Sequence, residues 1–159
     1  MKTIIILIVL IVLIIAWYLF RPEKLFISSK INEDFPNTGS EEKGAPEIIS
    51  QGEFHGVAHE GEGLATIYDM GDGHRVLRFT DFAVSNGPDV HVYLVSAEDP
   101  KDSKEVKESD IYELGSIKGN VGNQNYGLGP DVELSKYKSV VIWCKRFGVN
   151  FAVATLKPE

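Results

Sequence analysis

Ser139-Val-Val-Ile-Trp-Cys-Lys-Arg-Phe147 is the stretch on which the reading of the fold turns. Five of its nine residues are β-branched or aromatic, Gly148 interrupts it, and a second apolar run, Val149 to Leu156, follows. Two strands joined by a short connection account for the pattern, because branched and aromatic side chains suit a pleated surface and glycine permits the turn. In an extended chain side chains alternate faces, so Val140, Ile142 and Cys144 share one face and Val141 and Trp143 the other. Arg146 continues the Cys144 face where the strand runs out, while Lys145 points the opposite way. Arg146 is therefore the local cation that would favour a thiolate. Cys144 is the only cysteine of the chain. On the strand alone the economical reading is a packed core thiol, since a free cysteine commonly behaves as a small inert hydrophobe.

Outward from this pair, short strands punctuated by Gly, Asn, Asp and Pro continue back to Gly52. Phe54, Gly63 to Tyr68, Val76 to Val84 and Val90 to Val95 bring the total to about six strands, and no segment shows a helical period. The expected fold is all-β, an antiparallel β-sandwich or barrel-like domain over residues 52–158. Asp72-Gly73 reads as a hairpin turn, and Asn86-Gly-Pro-Asp89 as another. Glu98 to Asp110 holds nine charged residues in thirteen and reads as a solvated loop with at most one helical turn. Gly119 to Gly129 reads as a long glycine- and amide-rich loop. It lacks the Gly-Lys-Ser/Thr ending of a phosphate loop.

Ile4 to Phe20 is an unbroken apolar run of 17 residues after Lys2. At about 1.5 Å per residue it just spans a hydrocarbon core of about 30 Å with help from its flanks, so residues 1–21 are expected to be an uncleaved transmembrane anchor. A cleaved signal peptide would have a shorter apolar part and small residues at a cleavage site, whereas Ala16 is followed by Trp-Tyr-Leu-Phe. Residues 22–51 are expected to form a flexible polar linker. Basic residues flank the run on both sides, leaving the charge rule ambiguous; insertion in the manner of a signal sequence places the domain outside the cytoplasm, as a single-pass cell-membrane protein. From Ser50 onward 17 acidic residues face 11 basic ones, which disfavours a nucleic-acid partner. A single cysteine excludes an intramolecular disulfide.

Chemistry-bearing residues are sparse. His55 and His59 are four apart, but the glycines around them remove the helix that zinc spacing requires, and no metal site is expected. His91 would share a strand face with Asp89 and Tyr93, and such a histidine is more often structural than catalytic. A cysteine-protease pairing of Cys144 with His91 is awkward for a cysteine in mid-strand. No Cys-x-x-Cys-His is present, so haem, if bound, would be non-covalent with Cys144 as one ligand; the sequence itself requires no cofactor.

Four phrases taken together resemble one family: Leu77-Arg-Phe-Thr-Asp-Phe82, Asn86-Gly-Pro-Asp-Val-His-Val-Tyr-Leu94, Leu114-Gly-Ser-Ile-Lys-Gly-Asn-Val-Gly-Asn-Gln-Asn-Tyr126 and Val140-Val-Ile-Trp-Cys-Lys-Arg-Phe147. They occur in the order found in the DM-thirteen domain, an electron-transfer module of cell-surface proteins that is often found beside DOMON domains. The resemblance implies a β-rich extracytoplasmic domain whose characteristic cysteine, matched by Cys144, acts in redox chemistry as a bare thiol or through a prosthetic group such as haem. It departs at Asn123, where an acidic residue is usual, and at Leu128-Gly-Pro130, where a simpler Leu-Pro is usual. With no DOMON domain fused, the redox partner is expected to be a separate protein. The rival expectation is a non-enzymatic binding or adhesion module in which Cys144 is core and the ligand or structural loops carry Asn86, Asp89, His91, Gln124, Asn125 and Tyr126.

Overall fold

The alternation of apolar side chains is realised as an antiparallel sheet that curls almost into a barrel in the computed structural model, which describes residues 2–20, 28–36 and 45–159. The strands are β1 (Glu47–Gly56), β2 (Gly61–Asp69), β3 (Arg75–Val84), β4 (Val90–Val95), β5 (Ile111–Ser116), β6 (Gln124–Leu128), β7 (Ser139–Cys144), β8 (Val149–Thr155) and β9 (Lys157–Pro158). Their order is β5-β4-β7-β8-β1-β2-β3-β6, with β9 added beside β1. β1 joins the two halves. Residues 47–53 pair with β2, and Phe54 to Gly56 pair with Ala154 to Ala152 of β8.

Closing the sheet encloses one apolar interior drawn from both halves. Phe54, Ile67, Leu77, Phe79 and Phe82 meet Val92, Leu94, Val140, Ile142 and Cys144 there, and the Phe54, Phe79 and Phe82 rings lie about 5 Å from one another. The other face of β4, β7 and β8 is also covered. Tyr93, Val95, Val141, Trp143 and Val153 pack with Val106 of a five-residue helix, α2 (Ser103–Lys107; the N-terminal helix is α1). Asp102 caps α2 by accepting the Lys104 and Glu105 N–H groups. Asn150 of β8 fastens the loop from below, donating from Nδ2 to the Pro100 carbonyl and from its backbone to Ser103 Oγ. With both faces covered, all six residues of β7 are buried.

Three features differ from the sequence reading. First, β5, β6 and the two-residue β9 lie outside the strands read from the sequence. β6 lies in the glycine- and amide-rich stretch, where the inward positions are Gln124, Tyr126 and Leu128, and a buried glutamine breaks the apolar alternation that marks a strand. Second, β1 begins at Glu47, five residues before the expected domain boundary, and residues 28–36, expected to be flexible linker, lie along the 119–125 segment as a strap. Lys30 bridges Val121 in parallel, Ile31 N–H donates to the Val121 carbonyl at 2.9 Å, and Glu33 N–H donates to the Asn123 carbonyl at 2.9 Å. Third, α1 covers Lys2–Phe20 and exposes the apolar side chains of Ile4 to Ile15, Trp17 and Tyr18, yet among the described residues no helix is long and apolar enough to cross a membrane. The expected transmembrane span is therefore not found among the described residues.

Gly122 shows how closely the strap sits. It has φ of +103°, and a Cβ built on it would collide with the Ile31 carbonyl. Gly122→Ala is therefore expected to cost about 2–4 kcal/mol through clash and backbone strain. Urea denaturation measures the loss, and hydrogen exchange should show residues 29–33 losing protection before the barrel strands do.

Candidate functional site

Cys144 ends β7 between Val90 of β4 and Val149 of β8. Strand alternation turns its thiol into the barrel with Val140 and Ile142, where its relative exposure is 0%. Arg146, expected on the same face as a thiolate partner, is instead exposed in the four-residue turn 145–148, because the strand ends at Cys144 and the alternation stops with it. The residues beside it explain why His91 is no base for this thiol either. His91 is paired with Trp143, and Val90 with Cys144, so the imidazole and the sulfur point to opposite faces.

His91 belongs to a charged cluster on the outside. Its Nε2 lies 2.8 Å from Asp89 Oδ1, and Nδ1 lies 2.7 Å from Glu113 Oε1 of β5 without the alignment of a hydrogen bond. Lys145 donates to both Glu113 oxygens at 3.0 and 3.1 Å. Tyr93 lies buried on the same face, where desolvation first and the Glu113 and Asp89 charges second push its hydroxyl above the ordinary value. Burial also pushes the Glu113 carboxyl up, but Lys145 and His91 together outweigh it and hold it below 4.5. A histidine between two carboxylates, one of them tied to a lysine, joins β4, β5 and the β7–β8 turn. It presents no nucleophile.

The amide-rich segment proves to be internal scaffolding. Gln124, at 0% exposure, accepts the Lys118 and Gly119 N–H groups and the Tyr126 hydroxyl, and donates from Nε2 to the Gly119 carbonyl at 2.6 Å. Burial pushes the Tyr126 hydroxyl far above its usual range. Asn125 accepts from Arg78, donates its backbone N–H to Glu33 Oε2 at 2.7 Å, and donates from Nδ2 to the Asp34 carbonyl. Lys118 completes the Glu33 site with bonds of 2.7 and 2.9 Å to its two oxygens. Asn123, one of the departures from the family pattern, accepts the N–H of Asp81, whose φ of +48° is unusual for a residue with a side chain. Of the expected ligand residues, Asn86 borders a cleft of about 460 Å³, which it lines with Ser28, Glu60, Glu62, Ser85 and Asn120.

Residues 53–156 match the family described as electron transfer DM13. The chain belongs to that family. No curated protein and no solved structure matches it. The haem implied for DM13 domains does not fit the donors on offer. Cys144 is fully enclosed in the barrel interior and lines none of the clefts found at the surface, so a porphyrin has no room beside its sulfur. The residues that sequence reasoning missed are Glu33, Lys118 and Glu113. No local pattern marks their pairings, since Glu33 meets Lys118 across 85 positions and Glu113 meets Lys145 across 32.

Two predictions follow from these surroundings. In the native DM13 domain Cys144 should react with a soluble thiol reagent only as fast as the fold opens, and Cys144→Ser should cost about 1–3 kcal/mol by burying an unpartnered hydroxyl. Labelling kinetics with and without denaturant, together with urea curves, check both. For pH, Glu33 and Glu113 lie below 4.5 in the fold, each despite burial, through Lys118 and Asn125 in the one and Lys145 and His91 in the other; Asp99 lies below 3.8 through Lys101 first and His55 next. Depressed carboxylates stabilise the fold above their unfolded values and lose that contribution as pH falls through the folded ones. All three are partly exposed, so the effect is modest. Glu113→Gln should flatten the acid limb of a stability–pH curve and leave its neutral limb parallel to the parent.

Proposed function

We propose that the protein is a membrane-tethered, extracytoplasmic DM13 module that works by recognition and not by catalysis, with Cys144 as a core residue. One observation carries this reading: the sulfur has no exposed surface and sits among aliphatic and aromatic side chains. A thiol must be reached by its partner to exchange, and an enclosed sulfur is out of reach while the barrel is closed. The polar residues around the pole of the barrel support the same reading, because Gln124, Asn125, Tyr126, Asp89 and His91 are already committed to one another or to the strap. The polar cleft bordered by Ser85, Asn86, Glu60 and Glu62 is the recognition surface. The tether is supported by the 17-residue apolar run Ile4 to Phe20, by the exposed side chains of α1 and by the aromatic pair Trp17-Tyr18 near its end.

Electron transfer through Cys144 is the second reading, favoured by the family match over 53–156. It requires an opening of the barrel that brings the sulfur to a partner protein or a prosthetic group. Purified full-length protein separates the two. Recognition expects a colourless protein with no redox couple, unchanged in both respects by Cys144→Ala. An absorbing species or a measurable potential that disappears in Cys144→Ala overturns it in favour of electron transfer. Protease added to intact cells should remove the domain; protection until the cells are broken would overturn the extracytoplasmic placement.

A further inference from the structure

The loops at one pole of the barrel converge where the strap enters. Val84 is paired with Gly61, His91 with Ser116, and Cys144 with Val149, so segments 57–60, 85–89, 117–123 and 145–148 all lie at the same end. Ile117 N–H donates to the Val90 carbonyl and Lys145 N–H to the Asp89 carbonyl across that end. Ser29 N–H donates to Asn120 Oδ1 at 2.7 Å, which brings the N-terminal end of the strap to this pole. Seven residues, 21–27, separate it from the end of α1, a reach of at most roughly 25 Å. A domain held this way meets the bilayer with this pole first.

The β7–β8 turn at that pole has an unusual surface. Phe147 is 60% exposed, more than any other large apolar side chain described in the folded domain. Lys145 and Arg146 precede it, and Lys107 of α2 lies beside Gly148 and 5.9 Å from the centre of the Trp143 ring. The turn is held in shape, not left loose: Gly148 adopts φ of +62° and its N–H donates to the Cys144 carbonyl at 2.8 Å. Most of the domain is acidic, 17 carboxylates against 11 cations from Ser50 onward, and Glu60 is exposed on a neighbouring loop, so the attraction is confined to this corner.

We propose that the turn Lys145 to Gly148 is a membrane-contacting tip, with the Phe147 ring entering the headgroup layer of the bilayer that holds α1 while Arg146 and Lys107 face lipid phosphates. It rests on the tether proposed above. An aromatic ring gains from that interfacial layer, and cations near an anionic surface add to it within a Debye length. Neither contribution need be large, because the tether supplies a high effective concentration of surface.

The test uses the full-length chain in vesicles of phosphatidylcholine, alone or mixed with phosphatidylglycerol, with brominated lipid as a short-range quencher. F147W should show added emission that bromolipid quenches beyond the parent's Trp17 and Trp143 signal, more so with phosphatidylglycerol and low salt. H74W, at the exposed hairpin turn of the opposite pole, should add emission that bromolipid leaves alone. R146Q and K107Q in the F147W background should lose the phosphatidylglycerol dependence. Equal emission with and without bromolipid for F147W in protein that floats with the vesicles overturns the proposal alone and points to a protein partner for Phe147. Quenching of H74W as strong as that of F147W overturns it as well. Failure to float overturns the tether and the tip together.

Discussion

β7 is buried on both faces, and most of the structure depends on that double burial. One face closes the barrel interior against Phe54, Phe79 and Phe82; the other is sealed by Val106 of α2 and the loop that Asn150 fastens. A central strand whose two faces are both covered exposes no side chain while the barrel stays closed and α2 stays seated. Cys144 inherits this confinement from its position. Its single polar atom is held in a region built to exclude water, which is why the chemistry suggested by its rarity in the sequence does not follow from its place in the fold.

The polar residues around one pole serve a second constraint. Segment 119–125 is shaped to receive residues 28–36: Gly122 leaves room for the Ile31 backbone, Asn123 and Val121 supply carbonyls, and Lys118 with Asn125 closes around the Glu33 carboxylate. Phe35 then packs edge-on against Tyr68 with Arg78 over its ring, extending the contact along the sheet. A segment poor in apolar residues is thus ordered by charge-assisted bonds that its own composition could not supply.

The legible part of the sequence was whatever repeats with a period. The faces of Ser139 to Cys144, the β7–β8 connection at Gly148, the Asp72-Gly73 hairpin and the all-β class follow from alternation and turn chemistry, and each is found as read. The family was legible from its four phrases. β6 was hidden because Gln124 takes a core position and satisfies its amide through Gly119 and Tyr126, a solution that no hydrophobic scan detects. The strap was hidden for a different reason. Glu33 meets Lys118 across 85 positions, and only the folded barrel brings such partners together. At the site, the Asp89–His91 pairing was readable from strand spacing, whereas Glu113 and Lys145 come from other elements.

The strap also sets how force enters the molecule. Chain leaves it at Ser28 toward α1, and the strap lies parallel to 119–125 with its bonds at Ser29, Ile31 and Glu33 arrayed along its length. Tension drawn through the N-terminal side therefore loads these bonds before it reaches any strand of the barrel. Glu33, clasped by Lys118 and the Asn125 backbone, holds beyond Ser29 and Ile31, with the Asp34 carbonyl and the Phe35 ring fastened after it. A chain held by such a fastening can lengthen by several residues under strain while the barrel, and the closed interior around Cys144, keeps its shape.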